Sequence, residues 1–245
     1  MYNETMKKNL ALILAGGSGS RLDERRPKQF LKVGGKPLLV LAIERFEYHP
    51  HIDDIFVVTN PHPTFYQQTL ELVRKHNFRK VWKIVEGGET RQESSRRGVM
   101  AAEEGDYENV LIHDAARPFV SRQIIDGVLA KLTDFAAVNV AVPVTDTIVQ
   151  TDQHDLIRNI PRRSDLKRVQ TPQAFRLKLI RKAHQMAQER RVANASDDCS
   201  LVFQFKLADI AVVEGSALNI KITHPLDLKV AEEIRKLQKK QDGGV

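Results

Sequence analysis

The sequence has little of several features that would place it in a special class of protein. Its 245 residues include a single cysteine, Cys199, which excludes an intrachain disulfide, and no Cys/His cluster has the spacing of a zinc site. No stretch approaches the roughly 20 apolar residues of a membrane-spanning helix, and residues 1–8 lack the apolar run of a secretory signal. We therefore expect a soluble, cytoplasmic protein without structural metals, disulfides or a membrane anchor.

Aromatic residues are also scarce, at 6% of the chain, although 38 Lys and Arg against 31 Asp and Glu give a formal net charge of +7. Proteins that bind single-stranded nucleic acid interleave aromatic side chains with a basic stripe, and no such arrangement occurs in this sequence. The basic residues between 228 and 240 alternate with apolar ones, as on the solvated face of a helix. We therefore predict no nucleic-acid partner.

What the sequence does contain is an alternation of short apolar runs with longer segments of helical periodicity. The runs at residues 10–14, 55–58, 81–85, 110–112 and 138–142 predict buried parallel strands. Between them, apolar residues near i, i+3 and i+4 predict helices at 38–46, 64–74, 92–103 and 124–132. This alternation predicts an α/β fold with a mostly parallel sheet flanked by helices, which binds ligands beyond the carboxyl ends of its strands.

The alternation is interrupted between residues 145 and 170, where polar and charged side chains crowd. A stretch of this length without its own core must pack on something or fold as a hairpin, and pairing with a second subunit is one solution. Beyond it, residues 177–187 and the segment after Pro225 are predicted to be helical, and residues 210–213 and 220–222 extended. We predict one domain over residues 1–245 with an inserted arm at 145–170.

The strongest local signal follows the first predicted strand, where residues 15–21 read AGGSGSR and residues 27–29 read PKQ. Glycines directly after a strand let the backbone turn tightly and direct its N–H groups at a phosphate, although they could also merely close a turn. The loop lacks the third glycine of a dinucleotide fingerprint and the Gly-Lys-Ser/Thr of a P-loop. Arg21 and Lys28 place two cations beside the glycines, which favours a polyphosphate ligand.

Two further clusters follow predicted strands. Residues 86–94, EGGETRQES, suit the binding of a base or ribose, but Thr90 followed by Glu93 is equally the pattern of a helix N-cap with a capping box. Residues 113–118, HDAARP, place a carboxylate and an arginine at the end of a strand, a poor choice for a core and a good one for a site. Weaker polar groups lie at residues 143–147, 162–163, 171–173, 196–198 and 219–221.

Together and in this order, these motifs resemble those of the cytidylyltransferases that activate a polyol phosphate, above all the family that acts on 2-C-methyl-D-erythritol 4-phosphate. The resemblance extends from about residue 10 to residue 233. It implies a Rossmann-like α/β domain with an extended β-arm that is used in homodimerisation. It also implies transfer of CMP from CTP to the acceptor phosphate, in the non-mevalonate route to isoprenoids, with Mg²⁺ or another divalent cation held mainly by the CTP phosphates and not by a protein metal site.

The resemblance implies roles for individual residues. Arg21 and Lys28 would hold the triphosphate and stabilise the transition state, with Lys221 at the α-phosphate and Arg163 reaching across from the other subunit's arm. The CTP-binding residues would be Ala15, Gly16, Gly17, Ser18, Gly19, Gly88, Glu89, Ser94 and Asp114. The acceptor-binding residues would be Asp114, Arg117, Thr147, Arg163 and Thr171.

Two signals disagree about the acceptor. Relatives that use D-ribitol 5-phosphate share the LAGG opening at residues 14–17 and the NIKIT ending at 219–223, whereas Ala115 and Ala116 resemble the methylerythritol enzymes. Because the aspartate motif touches the acceptor and the opening loop touches CTP, we favour methylerythritol phosphate and keep ribitol phosphate as the alternative. A catalytically idle nucleotide-binding module is a third interpretation, disfavoured because three distant segments each supply a cation.

Overall fold

The computed structural model describes residues 8–17, 27–103, 106–193 and 195–242, with side chains up to residue 238. Its strands are β1 (Lys8–Ala15), β2 (Lys32–Val33), β3 (Lys36–Pro37), β4 (Asp54–Thr59), β5 (Val81–Glu86), β6 (Tyr107–Asp114), β7 (Ala137–Pro143), β8 (Gln150–Thr151), β9 (Ile157–Asn159), β10 (Lys167–Arg176) and β11 (Ile210–Glu214). Its α-helices are α1 (Leu38–Glu47), α2 (Pro63–Lys75), α3 (Arg91–Ala101), α4 (Arg122–Lys131), α5 (Leu177–Glu189), α6 (Asp198–Gln204) and α7 (Pro225–Asp242).

The main sheet has seven strands in the order β11-β7-β10-β6-β1-β4-β5. β10 runs antiparallel to both its neighbours, β6 and β7, and the other pairs are parallel. The predicted α/β fold with a mostly parallel sheet is confirmed, and each predicted strand in the first 142 residues overlaps a strand of this sheet. Crossovers from strand to helix to parallel strand bring the carboxyl ends of β1, β4, β5 and β6 to one edge.

Helices cover both faces of the sheet because side chains alternate along each buried strand. On β1, Ala11 and Ile13 pack on one face with α1 and α4, and Leu10 and Leu12 pack on the other with α3, α5 and α6. Gly98 lets α3 lie close to the sheet, since a Cβ at that position would stand 2.6 Å from a methyl of Leu12. None of the helices in the described ranges is long and apolar enough to cross a membrane.

Three features differ from the sequence-based expectation. Strand β10 was not predicted, and it begins at Lys167, inside the segment assigned to the arm. Its buried residues include Gln170, Thr171 and Gln173, which gives no apolar run, and its register with β7 is irregular between residues 170 and 174. Helix α6 was not predicted either. The prediction of an extended strand-like segment at 220–222 is wrong, because these residues form no strand; the Ile222 N–H donates to the carbonyl of Ala116, in the loop after β6.

The segment between β7 and β10 contains a short hairpin of β8 and β9, which pair with each other outside the main sheet. Its apolar side chains are turned outwards: Ile148, Leu156, Ile157 and Ile160 are between 42% and 59% exposed. Within the described residues this segment therefore has no core of its own.

Candidate active site

A cavity of about 480 Å³ lies at the carboxyl ends of β1, β4, β5 and β6, where the topology of a parallel sheet places ligands. Its volume is in the usual range for small-molecule sites. Several residues predicted from the sequence line it, namely Ala15, Gly16, Gly17, Lys28, Gly88, Glu89, Ser94, Asp114 and Lys221. Segments separated by more than 200 residues in the chain, such as those of Ala15 and Lys221, thus meet in one place.

The remaining predicted residues lie elsewhere. Ser18, Gly19 and Arg21 fall outside the described residues. Arg117 and Thr171 are not in the lining but contact Asp114, which is: the Asp114 N–H donates to Thr171 Oγ1, and the Arg117 N–H donates to the Asp114 carbonyl. Thr147 and Arg163 lie on the exposed segment between β7 and β10, where Arg163 Nη1 donates to the Thr145 carbonyl at 3.1 Å, and they do not line the cavity of their own chain.

One side of the cavity, the glycine wall, is formed by Gly16, Gly17 and Gly88 and is made mainly of backbone. The Asn60 amide donates to the Gly16 carbonyl at 3.1 Å, and the Gly88 N–H donates to Ser94 Oγ at 3.1 Å. The turn after β5 lies close to the end of β4 and to α3, since a Cβ on Gly87 would stand 2.8 Å from both Ser94 Oγ and the Thr59 carbonyl oxygen. The wall is therefore shaped for backbone contact with a ligand.

Helix α3 begins at the edge of the glycine wall. Thr90 Oγ1 accepts a hydrogen bond from the Glu93 N–H at 3.0 Å, which confirms the predicted N-cap. The Glu93 carboxylate accepts from the Glu89 N–H at 3.1 Å and does not close a capping box on Thr90. Because Glu89 and Thr90 also line the cavity, the N-cap and the site belong to the same turn.

A second group of lining residues, the ionic wall, consists of Asp114, Arg91 and Lys221. Lys221 Nζ lies 2.7 Å from Asp114 Oδ2, and Arg91 Nε lies 3.2 Å from Asp114 Oδ1. Burial raises the pKa of the Asp114 carboxyl, but the charges of Arg91 and Lys221 outweigh it and hold the pKa well below its usual range. Asp114 is therefore ionised throughout the physiological range of pH.

The loop that carries Lys221 is fastened to the end of β6. The Ile222 N–H donates to the Ala116 carbonyl at 2.8 Å, and Arg117 Nη1 donates to the Asn219 carbonyl at 2.8 Å. The Asn219 amide in turn donates to the carbonyl of Thr171 at 3.0 Å. In this structure, Arg117 and Thr171 thus help to place Lys221 beside Asp114.

A buried histidine anchors the backbone of the ionic wall. His113 Nε2 donates to the Arg117 carbonyl at 2.9 Å, which leaves Nδ1 to accept from Thr171 Oγ1 at 3.0 Å. The same hydroxyl oxygen accepts from the Asp114 N–H at 3.1 Å. Burial lowers the pKa of His113 to about 4, so the ring is neutral at pH 7 and this pattern of donors is maintained.

The lining residues to which the sequence analysis gave no role include Arg91 and Asn60. Arg91 belongs to the motif at 86–94, but its contact with Asp114 joins the start of α3 to the end of β6 and has no local signal. Asn60 directly follows β4, so the rule that inspects residues after parallel strands would have found it.

The described lining residues include three cationic side chains, Lys28, Arg91 and Lys221, and two carboxylates, Glu89 and Asp114. This balance, together with the backbone groups of the glycine wall, suits a ligand that carries several negative charges. The arrangement can align phosphates and neutralise charge that develops during a displacement.

Comparisons with known proteins agree with this chemistry. A profile of the family described as 2-C-methyl-D-erythritol 4-phosphate cytidylyltransferase matches residues 10–236. The chain is 38% identical over 230 residues to the protein of that name from Thermobifida fusca, covering 91% of this chain and 92% of that protein. It is 38% identical over 231 residues to the bifunctional ribulose 5-phosphate reductase/CDP-ribitol pyrophosphorylase Bcs1 of Haemophilus influenzae, covering 93% of this chain and 48% of that protein. A crystal structure of 4-diphosphocytidyl-2C-methyl-D-erythritol synthase from Anaerococcus prevotii matches with a TM-score of 0.82 at 28% identity, covering 94% of this chain and 99% of that chain.

Proposed function

The chain belongs to the 2-C-methyl-D-erythritol 4-phosphate cytidylyltransferase family, and from this premise we propose that it transfers CMP from CTP to the phosphate of 2-C-methyl-D-erythritol 4-phosphate. An oxygen of the acceptor phosphate attacks the α-phosphorus of CTP in line, the bond to the β-phosphate oxygen breaks, and pyrophosphate leaves. The observation that carries the proposal is one cavity lined both by Lys28 and the glycine wall and by the Lys221–Asp114 pair. Both substrates are multiply charged and cross membranes poorly, which favours a cytoplasmic reaction.

The two walls divide the work. The glycine wall and Lys28 hold the triphosphate with neutral N–H donors and one cation. Lys221, fixed by Asp114 at 2.7 Å, stands ready to neutralise the charge that develops on the α-phosphate. Since both reactants are anionic, alignment of the substrates and neutralisation of their charge account for the rate acceleration, and no covalent intermediate is needed.

A divalent cation fits this site as a partner of CTP. Among the described residues, no group of three or more His, Cys, Asp or Glu is arranged to hold a metal ion. Both oxygens of Asp114 already face cations. Mg²⁺ prefers phosphate oxygens and water and needs few protein ligands, so we propose that it is bound mainly by the CTP phosphates, where it adds charge neutralisation for the leaving pyrophosphate.

We also propose that the arm at 145–170 joins two subunits and brings Arg163 and Thr147 to the partner's acceptor site. The support is that the arm exposes its apolar side chains and that Arg163 does not reach the cavity of its own chain. Mixed dimers of Arg163→Ala with Lys221→Ala test this. If each arm serves the other subunit, co-expression restores one intact site per mixed dimer, or roughly a quarter of wild-type activity. No recovery would contradict the exchange of arms.

The decisive experiment measures pyrophosphate release from CTP and Mg²⁺, with 2-C-methyl-D-erythritol 4-phosphate and D-ribitol 5-phosphate offered at matched concentrations. We expect a higher kcat/KM with the first. The Haemophilus influenzae relative, whose name includes CDP-ribitol pyrophosphorylase, is the reason for testing the second. A preference for ribitol phosphate would replace the proposed acceptor, and CTP binding without turnover of either would contradict the proposal.

A further inference from the structure

A buried carboxylate stands directly behind the ionic wall and has no part in the mechanism described so far. Asp198, the first residue of α6, is 1% exposed and does not line the cavity. Its side chain accepts from Arg91 Nη1 at 2.8 Å and from Ser95 Oγ at 2.5 Å. His184 Nε2 lies 3.2 Å from Asp198 Oδ1, the oxygen that also accepts from Ser95.

Arg91 links this carboxylate to the site. Its guanidinium group is shared between two acids, with Nε on Asp114 and Nη1 on Asp198. Because a guanidinium group is planar and rigid, holding Nη1 in place also fixes the direction from which Nε meets Asp114. Arg91 then contacts only one oxygen of Asp114 and leaves the other to Lys221. Without Asp198, the Arg91 guanidinium group is free to rotate and to contact both carboxylate oxygens of Asp114, in competition with Lys221.

Asp198 is itself held firmly. Its N–H donates to the Gln173 side chain at 3.0 Å, and α6 begins there with Asp197 as N-cap. Ser95 stands one turn after Arg91 on α3, so both helix residues reach Asp198 from the same face. A carboxylate enclosed in this way costs desolvation free energy, and a balancing charge at Arg91 offsets that cost.

We propose that Asp198 is a positioning residue for the cytidylyl transfer, which acts through Arg91 to set the geometry of the Asp114–Lys221 pair without touching substrate. This inference rests on the proposed function. The proposed role depends on the charge of residue 198 and not on its shape. A carboxylate is required to orient Arg91, and an uncharged side chain of the same shape does not replace it.

Two substitutions at this position test the charge. Asp198→Asn keeps the shape and removes the charge, and we expect kcat to fall about tenfold and the affinity for CTP about threefold. Asp198→Glu keeps the charge on a longer side chain, and we expect it to retain more activity than Asp198→Asn. A packing role would give the opposite order. If Asp198→Asn does not fold, Ser95→Ala, which removes one hydrogen bond to Asp198, should still lower kcat about threefold.

A double-mutant cycle tests whether Asp198 acts through Arg91. In an Arg91→Gln background, Asp198→Asn should lower kcat and CTP affinity no further. Asp197→Asn is the matched control, because it removes the charge of the neighbouring carboxylate, keeps an oxygen that can cap α6 and leaves the contact with Arg91 in place, and it should keep wild-type kcat. The inference is wrong if Asp198→Asn keeps kcat within twofold of wild type, if it is more active than Asp198→Glu, or if the two losses multiply.

The wild type is assayed in parallel with both polyol phosphates, so that a failure of the proposed function is visible separately. If the wild type turns over neither, the proposed function fails. The same cycle is then followed by calorimetric titration of CTP and Mg²⁺, in which Asp198→Asn should weaken binding only when Arg91 is present. Equal weakening in both backgrounds would overturn the inference.

Discussion

The two walls of the cavity are built on different principles. The glycine wall offers backbone groups, and its shape depends on the close approach of two loops and on hydrogen bonds such as that from Asn60 to Gly16. The ionic wall offers charges that contact one another, with Lys221, Asp114, Arg91 and the buried Asp198 in an unbroken line. Substitutions in the glycine wall should therefore weaken mainly the binding of CTP. Substitutions in the ionic wall should also lower kcat, and the effects of two of them should not add.

The largest effect is expected where the ionic wall meets the substrates. Lys221→Ala removes the cation beside Asp114 and should lower kcat by roughly 100- to 1000-fold with the fold intact, since charge on the α-phosphate is then no longer neutralised. Steady-state kinetics and circular dichroism measure the two quantities. Lys236→Ala, on the exposed side of α7, is the control and should match wild type. Turnover of Lys221→Ala within tenfold of wild type would remove this residue from the mechanism.

The next largest effect concerns His113, which anchors the backbone of the ionic wall, and it is measured as a change in the free energy of unfolding. The pKa of His113 is lowered by burial to about 4 in the folded chain, against an ordinary value of 6.5. Between these values the unfolded chain binds a proton that the folded chain does not. The free energy of unfolding therefore has its full value above pH 6.5. It falls by about 3 kcal/mol as the pH falls towards 4.

Urea unfolding of wild type and His113→Gln at several pH values between 4.5 and 7.5 checks this. His49, whose pKa burial also lowers, adds a slope of the same sign to both proteins, so the difference between them isolates His113. The lowered pKa values of Asp114 and Asp198 act only below their ordinary value of 3.8, outside this window. Parallel profiles would show that His113 is not the source of the slope.

A smaller effect is expected from the glycine wall. Gly87→Ala places a methyl group 2.8 Å from Ser94 Oγ and the Thr59 carbonyl, so the loops after β4 and β5 must move apart. We expect the KM for CTP to rise about tenfold and kcat to change much less, because the displaced groups hold CTP before and during the reaction alike. Gly127→Ala, in α4 and away from the cavity, is the control. A loss mainly in kcat would break the distinction between the walls.

The same contrast explains how far the sequence could predict this molecule. The strands before residue 143, the glycines at 16–17 and 87–88 and the N-cap at Thr90 carry local signals, such as apolar runs, turn residues and capping spacing, and the structure contains them. Strand β10 and helix α6 were missed because they bury Gln173 and Asp198, whose partners lie far away in the chain. Arg91 was missed for the same reason. Local sequence patterns therefore predict the glycine wall, which is made of backbone. They do not predict which charged side chains from distant segments will contact one another.

The smallest effect tests whether the glycine wall is as uncoupled as its construction suggests. Asn60 donates to the Gly16 carbonyl at 3.1 Å and accepts from the His62 N–H at 2.9 Å, and it has no contact with the ionic wall among the described residues. Asn60→Ala should raise the KM for CTP about threefold and leave kcat within twofold, which matches the loss of a single hydrogen bond. Asn60→Asp retains the acceptor for His62 but adds a negative charge beside the polyphosphate, so its KM should rise further and fall again as salt screens the charge. If Asn60→Ala instead lowered kcat as much as it raised KM, the two walls would be coupled, because a change confined to the backbone side would then have reached the reacting phosphate.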